Sequence, residues 1–243
     1  MSVITENVLL AKRTIAEAAA EAGRDASEVR LLAATKMNGP EAIREAVAAG
    51  VDICAENRVQ EFLEKNAMNA YSGCDVHFIG HLQRNKVKYL VGAVSLIHSV
   101  DSESLLSEID RRAAALGIVQ DVLLEVNIGG EASKSGAAPE ALEELLLYAG
   151  RCSALRVKGL MAIPPVETIP GANRNYFLRM NELFVDIRRK KYDNVLMAEL
   201  SMGMSSDYEE AVRCGATIVR LGTAIFGPRN YDKQEAPRDG THR

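Results

Sequence analysis

Along almost the whole chain, apolar residues recur either at the spacing of an α-helix or in the short runs of β-strands. The opening stretch, 4–22, repeats apolar residues such as Val8 and Ile15 at helical spacing and ends before Gly23, which predicts an α-helix. Short apolar runs typical of β-strands follow it, with helix-like stretches between them. The predicted strands cover 30–35, 51–55, 75–80, 94–100, 121–128, 155–163, 194–201 and 216–222, and the predicted helices cover 40–49, 57–69, 83–91, 102–116, 139–150, 173–191 and 206–214.

Eight strands separated by helices favour a parallel sheet, because each crossover returns the chain to the same edge. Eight parallel strands close naturally into a barrel, so we predict an α/β fold, a single (β/α)8 TIM-like barrel with an extra N-terminal helix. An open doubly wound sheet is the alternative. We predict one barrel domain over 1–228 and a polar, flexible C-terminal tail over 229–243.

Composition narrows the functional class. The chain has 243 residues, of which 47% are hydrophobic, enough for a sizeable core. A formal net charge of −4 argues against nucleic acid as a partner. No apolar run is long enough to span a bilayer, so no membrane partner is expected. The four cysteines form no C-x-x-C pair and no secretory signal precedes them, which indicates reduced thiols and a cytoplasmic protein.

Candidate chemistry begins with Lys36, which ends the first strand-like run. Barrels place their functional groups at the C-terminal ends of strands. On a pleated strand Lys36 shares a face with Leu32 and Ala34, so an inward face brings its amine to an apolar barrel mouth. Desolvation favours the neutral amine, which attacks an aldehyde to form a Schiff base. The alternative is a lysine that reaches into solvent from a strand end.

Arg220 is a charge inside the eighth strand-like run, on the same face as Ile218. A buried charge rarely lacks a partner, so one interpretation is a structural ion pair with Glu199 or Glu125. The other is a donor to a ring nitrogen of a bound cofactor. Since a guanidinium only donates hydrogen bonds, that nitrogen would stay unprotonated.

A segment rich in serine and glycine, 201–209, follows the seventh strand and opens a helix. Ser206 and Glu209 fit a capping box, which alone explains a serine there. Exposed amides at such a turn also bind anions, and barrel phosphate sites recur after strands seven and eight. Gly222 and Thr223 supply a second small turn. An amine, a guanidinium and these turns together suit pyridoxal 5′-phosphate, which carries an aldehyde, a ring nitrogen and a phosphate.

The sequence does not match other common motifs for binding or catalysis. The stretch 128–135 lacks the glycines of a P-loop, and Lys134 within it is placed on a loop near the barrel mouth. No G-x-G-x-x-G follows a strand and no G-x-S-x-G occurs. His77 and His81 are four apart on a strand and its loop, not on a helix, so we predict no metal site.

Seven ordered motifs carry a resemblance that spans the chain from the opening helix to Gly227. On these motifs the chain resembles the pyridoxal-phosphate homeostasis protein family, similar in turn to the barrel domain of alanine racemase. The motifs are Leu31-Leu32-Ala33-Ala34-Thr35-Lys36, Glu56-Asn57-Arg58-Val59-Gln60-Glu61, His77-Phe78-Ile79-Gly80-His81-Leu82-Gln83-Arg84-Asn85-Lys86, Ser133-Lys134-Ser135-Gly136, Gly159-Leu160-Met161-Ala162-Ile163-Pro164, Ser201-Met202-Gly203-Met204-Ser205-Ser206-Asp207 and Val219-Arg220-Leu221-Gly222-Thr223-Ala224-Ile225-Phe226-Gly227.

The resemblance implies pyridoxal 5′-phosphate held as an internal aldimine on Lys36, with Arg220 at the ring nitrogen. It implies Asn57 near the ring substituents and Met202 packed nearby. Family members store, shield or deliver this form of vitamin B6, with no catalytic residue and no robust turnover. Whether apoenzymes that depend on the cofactor receive it is left open. The phosphate group is assigned to Ser201, Gly203, Gly222 and Thr223.

Two departures from the family pattern stand near the proposed site. The residues 37–40 replace the usual Thr-Lys-Pro after the lysine, and Arg58 stands where a tyrosine is common. The first leaves Lys134 as the candidate auxiliary amine. The alternative function is a weak pyridoxal-phosphate-dependent racemase or lyase. Against it, two-base racemisation needs a second proton carrier beside Lys36, and an arginine at the ring nitrogen stabilises a carbanion poorly.

Overall fold

A computed structural model shows a closed barrel of eight parallel strands, in which each strand pairs with the next and β8 pairs with β1. The structure describes residues 1–131, 134–166, 169 and 171–228, so the predicted tail 229–243 lies outside the described residues. The (β/α)8 prediction is confirmed. The strands are β1 (Arg30–Ala34), β2 (Ile53–Glu56), β3 (Asp75–Phe78), β4 (Leu96–Val100), β5 (Gln120–Val126), β6 (Leu155–Ala162), β7 (Val195–Met204) and β8 (Ile218–Leu221).

Eight α-helices surround the strands in the described part of the chain. The extra N-terminal helix is present and packs against α7 and α8, and the Asn7 side-chain amide donates to the Ile225 carbonyl at 3.0 Å. The helices are α1 (Val3–Glu21), α2 (Pro40–Ala48), α3 (Val59–Ala67), α4 (Glu103–Leu116), α5 (Leu142–Ala149), α6 (Arg174–Lys190), α7 (Tyr208–Arg213) and α8 (Thr223–Phe226).

Three local predictions differ from the structure. The predicted helix 83–91 is a 3-10 segment, Arg84–Tyr89. The short α8 was not predicted, because a four-residue helix is too short to show periodicity. Asp207, not Ser206, precedes α7, so the predicted capping box does not form. None of the helices in the described ranges is long and apolar enough to cross a membrane.

Strand positions alternate between the barrel interior and the surrounding helices, as the pleat requires. The outward positions, such as Leu31 and Ala33, join a large core with the helices. The inward positions form a separate apolar layer, and each large aliphatic side chain buried there contributes about 1.5–3 kcal/mol. The inner layer consists of Leu32, Ala34, Ile53, Ala55, Ile79, Leu96, Leu123, Met161 and Ile218.

Ion pairs occupy the N-terminal end of the barrel. The Arg30 guanidinium lies 2.7 Å from the Glu199 carboxylate and 3.9 Å from that of Asp75. Thr217 donates its hydroxyl to Glu199 at 3.0 Å. Charges at this end are therefore neutralised within the structure. The functional groups predicted from the sequence lie at the opposite end.

Candidate functional site

The barrel mouth holds a cavity of about 290 Å³ that Lys36 lines. Ala34 faces the interior, so the same face two residues further along carries Lys36 to the mouth, as predicted. Lys36 is half-buried, and its bond to a cofactor stays a prediction. The lining residues are Ala34, Lys36, Asn57, Ile79, Ile163, Met204, Ser205, Ser206, Arg220, Gly222 and Thr223.

Arg220 forms part of the same cavity and is 5% exposed. Its guanidinium donates to the Ser201 hydroxyl and to the Ala162 carbonyl, each at 2.8 Å. Among the described residues no carboxylate lies within 4.0 Å of it, so neither predicted ion pair, with Glu199 or with Glu125, is present. Burial lowers the pKa of Arg220 to about 10, and it remains charged at neutral pH.

Two buried histidines continue this arrangement into the barrel. His98 is hydrogen-bonded to the Ser201 hydroxyl at 3.1 Å and to His77 at 2.9 Å. Burial, with the charge of Arg30, lowers the pKa of His77 to about 3. Burial and the neighbouring His77 and Arg220 lower the pKa of His98 well below its usual value. Arg220 is thus held directly by neutral groups, and the carboxylates of Glu125 and Asp207 act on its charge only from beyond 4.0 Å.

A buried ion pair fixes the backbone just before Lys36. The Lys65 ammonium lies 2.7 Å from Glu56 and donates to the Thr35 carbonyl at 2.9 Å. The Thr35 hydroxyl donates to Glu56 at 2.6 Å, and Tyr71 donates to the same carboxylate at 3.1 Å. The sequence analysis did not predict this network. The signal that could have revealed it is that Lys65 lies on an otherwise apolar face of α3.

The residue after Lys36 is also fixed. Met37 has a φ of 64°, in the left-handed region that a side chain rarely adopts. Its N–H donates to the Glu61 carboxylate at 2.8 Å, and Glu61 is held by Lys65 at 3.1 Å. Burial would raise the pKa of Glu61, but these two hydrogen bonds outweigh it and the pKa is lowered. Lys36 therefore extends from a backbone that is clamped on both sides.

Hydroxyl groups and turn amides line the cavity wall near β8. The Ser205 hydroxyl accepts hydrogen bonds from the N–H groups of Gly222 and Ala224, each at 3.2 Å. Gly222 and Thr223 line the cavity as the sequence predicted, and Ser205 and Ser206 are additional lining residues.

Three predicted site residues lie elsewhere. Ser201 is fully buried and bonded to Arg220, and Met202 is fully buried in the outer core. Gly203 has a φ of 89° and packs on α7, where a Cβ would lie 2.5 Å from that of Ala211. None of the three is among the residues that line the cavity. The phosphate contact predicted for Ser201 and Gly203, and the packing near the cofactor predicted for Met202, therefore remain predictions.

Asn57 stands between this cavity and a second one of about 250 Å³. Its side-chain oxygen is buried without a hydrogen-bond partner in the described part of the chain. Its backbone is pressed against Gly80, where a Cβ would lie only 1.9 Å from the Asn57 carbonyl oxygen. This contact fixes Asn57 at the mouth with an amide that is available to a ligand.

A larger cavity, about 780 Å³, lies near the opposite end of the strands, between α6 and the start of β7. Arg24, one of its lining residues, is bonded to the Val212 and Ala216 carbonyls at 2.8 and 2.9 Å. Because barrels carry their chemistry at the C-terminal ends of strands, we assign the candidate site to the Lys36 cavity.

This closed parallel barrel belongs to the class of barrels found in alanine racemases. Residues 12–230 match the family described as alanine racemase, N-terminal domain. A solved alanine racemase from Streptomyces lavendulae superposes with a TM-score of 0.71 at 16% identity over 93% of this chain and 56% of that chain, which shows the shared fold.

The chain belongs to the pyridoxal phosphate homeostasis protein family. The relative of that name from Aquifex aeolicus is 48% identical over 217 residues, which is 89% of this chain and 94% of the relative. PipY from Synechococcus elongatus, solved with PLP bound, is 34% identical, with a TM-score of 0.76 over 88% of this chain and 100% of PipY. The predicted family is confirmed.

Proposed function

We propose that this chain binds pyridoxal 5′-phosphate in the Lys36 cavity and serves to store, shield or deliver it. The observation that carries the proposal is the meeting of Lys36 and Arg220 in one cavity lined by Ser205, Gly222 and Thr223. The bound group supplies an aldehyde that bonds covalently to amines and a ring that draws electrons from that bond. The relatives' name and the PLP-bound structure of PipY support this choice of ligand.

The residues present fit that group. Arg220 offers N–H donors beyond the two already used, and no carboxylate neutralises it among the described residues. The Gly222 and Ala224 amides already hold a hydroxyl oxygen, so they present donors of the kind that a phosphate oxygen accepts. The unpartnered oxygen of Asn57 marks an amide still open to a ligand, and its two ends can exchange places by a flip.

Each residue then has one role. Lys36 holds the aldehyde carbon, Arg220 donates to the ring nitrogen, and Asn57 faces the ring substituents. Ser205, Gly222 and Thr223 face the phosphate, with Ser206 beside them. The clamp on both sides of Lys36 fixes where the amine begins, which lowers the entropy lost on attachment.

The proposal includes no robust turnover. Lys36 and Arg220 are the titratable groups among the described residues that line this cavity, and Arg220 stays protonated at neutral pH. One residue able to exchange a proton serves one face of a substrate, whereas two-base racemisation needs both. A ring nitrogen that accepts from an arginine stays unprotonated and is a weak electron sink.

Attachment is tested by stripping the protein, adding pyridoxal 5′-phosphate, reducing with borohydride and mapping the modified peptide by mass spectrometry. We expect a visible absorbance band that borohydride removes, and modification at Lys36. Lys36→Ala should lose both signals. Lys134→Ala is the matched control, since Lys134 is another lysine at the mouth, and it should keep them. An absent band, or modification at Lys134 alone in the wild type, would contradict the proposal.

Turnover is tested separately by incubating the loaded protein with several L-amino acids and following chirality and keto-acid release. We expect no sustained conversion. Conversion that continues over many cycles and disappears in Lys36→Ala would establish an enzyme and overturn the carrier function.

A further inference from the structure

The second cavity at the mouth adjoins the Lys36 cavity but has a different chemical character. The two share Asn57, Ile79 and Ile163 as a common wall. The rest of the second cavity comes from the ends of β3 and β5 and the loop after β5. Its remaining lining residues are Gly80, His81, Glu125, Lys134 and Ser135.

Glu125 is the feature that calls for a ligand. Leu123, two residues before it on β5, faces the barrel interior, so Glu125 does too. It is 6% exposed and lines the cavity, yet its carboxylate makes no hydrogen bond or ion pair to any described residue. Buried carboxylates ordinarily have donors, so this one needs an explanation.

The nearby cations are already engaged. The Lys134 ammonium donates to the Pro164 carbonyl at 3.0 Å and pairs with Glu131. Arg220 is held by Ser201 and the Ala162 carbonyl. Glu125 is therefore an acceptor at the floor of the cavity, and neither Lys134 nor Arg220 lies within 4.0 Å of its carboxylate.

We propose that this second cavity binds the primary ammonium group of a small amine or amino acid, with the Glu125 carboxylate as its counter-ion. An ammonium supplies three N–H donors, which match an acceptor-only group. Ile79 and Ile163 give an apolar wall for a short side chain. At the rim, Lys134 lies beside His81, whose ring is hydrogen-bonded to the Ser135 hydroxyl at 3.2 Å, and these groups can receive the carboxylate of an amino acid.

Binding should depend on pH with a defined sign. Burial and the nearby Asp101 raise the pKa of Glu125 to about 7, with Arg220 acting in the opposite direction. The other charged or titratable groups around it are His98 on β4, His81 after β3, Lys134 in the loop after β5 and Lys36 after β1. A cation prefers the ionised carboxylate, so affinity should rise with pH, level off above about 7, and fall about tenfold per unit below it.

This inference goes beyond the proposed function, because the cavity exists without any group on Lys36. It places an amine directly beside whatever Lys36 carries. Failure of attachment at Lys36 would be seen as a missing absorbance band, whereas the ammonium site is tested by binding heat in cofactor-free protein. The attachment of the cofactor to Lys36 and the ammonium site at Glu125 can therefore fail independently of each other.

The experiment is isothermal titration calorimetry of the cofactor-free protein with n-propylamine, L-alanine and propionate at pH 6 and pH 8. We expect the two amines to bind more tightly at pH 8 and propionate not to bind. Glu125→Gln keeps the shape and removes the charge, so it should weaken amine binding roughly 30-fold or more. Its circular dichroism and melting temperature are compared with the wild type to show that it folds.

The outcomes separate two sources of the ammonium group. Tighter binding of L-alanine than of n-propylamine, lost in Lys134→Met, supports an amino acid; equal binding supports a simple amine. Propionate binding as well as the amines, or Glu125→Gln binding n-propylamine like the wild type, would overturn the proposal. If Glu125→Gln does not fold, the wild-type pH profile decides, and an affinity that does not change between pH 6 and pH 8 overturns it.

Discussion

Lys65 and Arg220 are buried to nearly the same degree, 8% and 5% exposed, but their surroundings differ. Lys65 is paired with the carboxylates of Glu56 and Glu61 and also bonds to a backbone carbonyl. Arg220 is bonded to a serine hydroxyl and a carbonyl, with neutral histidines behind them. One charge is neutralised by contact within the protein, and we propose that a ligand pairs with the other, which has no carboxylate within 4.0 Å among the described residues.

The difference separates structural charge from functional charge in one fold. A buried charge costs several kcal/mol unless it is paired, so the Lys65 network repays its cost within the empty protein. On the proposed function, a ligand acceptor in the cavity would recover most of the cost of Arg220. Substitutions at the two positions should therefore have opposite dependence on the ligand.

Lys65→Met should have the largest effect. It leaves the fully buried Glu56 without its counter-ion, so the free energy of unfolding should fall by about 3–5 kcal/mol with or without ligand. Urea denaturation measures this. Lys88→Met, at an exposed lysine beside Tyr89, is the control and should change stability by less than about 0.5 kcal/mol. A loss below about 1 kcal/mol for Lys65→Met would show that the Lys65 ion pair is not structural, and the difference from Arg220 would disappear.

Arg220→Met should show the reverse dependence. In cofactor-free protein we expect a loss of at most about 2 kcal/mol, because the removal of an uncompensated charge offsets two lost hydrogen bonds. With pyridoxal 5′-phosphate at about 100 times its Kd, the wild type should gain about 2.7 kcal/mol.

The Arg220→Met variant should gain no more than about 1.4 kcal/mol at the same ligand concentration, which corresponds to a tenfold weaker Kd. Denaturation with and without ligand gives both numbers. Equal gains in the two proteins would show that Arg220 does not contact the ligand, and unfolding of the empty variant would assign it a structural role.

Acid should destabilise the protein through the neutral histidines behind Arg220. The pKa of His77 is lowered to about 3 in the folded protein, below an unfolded value of about 6.5. Its stabilising contribution is therefore complete above pH 6.5 and is lost as pH falls from there towards 3, at up to about 1.4 kcal/mol per pH unit.

Urea denaturation between pH 7 and pH 4 measures this slope, and His77→Gln should reduce it because the replacement does not titrate. The same change at the exposed His81 is the control for replacing a histidine with glutamine. A His77→Gln slope equal to that of the wild type would mean that this histidine is charged in the native state.

Two serines on and after β7 give the smallest and most selective test. Ser201→Ala acts through Arg220, so it should weaken pyridoxal and pyridoxal 5′-phosphate equally. Ser205→Ala acts at the turn amides, so it should reduce the preference for the phosphorylated form, by about 2- to 10-fold. The ratio of the two Kd values is the measurement. A change of ratio in Ser201→Ala alone would support the phosphate role predicted for Ser201 from the sequence.

The sequence predicted the position of a side chain well where the alternation of inward and outward residues along one strand decides it. Lys36 and Arg220 were placed on inward faces from alternation along a single strand, Asn57 was implied by the family resemblance, and all three line one cavity. Ser201 and Gly203, two of the residues predicted around the phosphate, lie within β7, which runs to Met204, three residues past the predicted end at 201. Strand ends are set by pairing with neighbours, and the register of β7 on β8 shifts between Ser201 and Met204.

Contacts between distant segments could not be predicted in the same way. Thr35, Glu56, Lys65 and Tyr71 come together from four different parts of the chain. Nothing in the local pattern fixes such a meeting, since it depends on how α3 packs behind β1 and β2. The apolar neighbours of Lys65 on α3 indicated a buried face, but not the carboxylate that makes the burial possible.

Closure of the barrel between its first and last strands has a consequence during protein synthesis. Lys36 follows β1 and Arg220 lies on β8, which pair side by side although 184 positions separate the two residues. A ribosome makes the lysine early, but the guanidinium emerges only when nearly the whole described chain has been translated. A nascent polypeptide therefore lacks the complete cavity, and tight capture of a small molecule there would report that the final strand has docked.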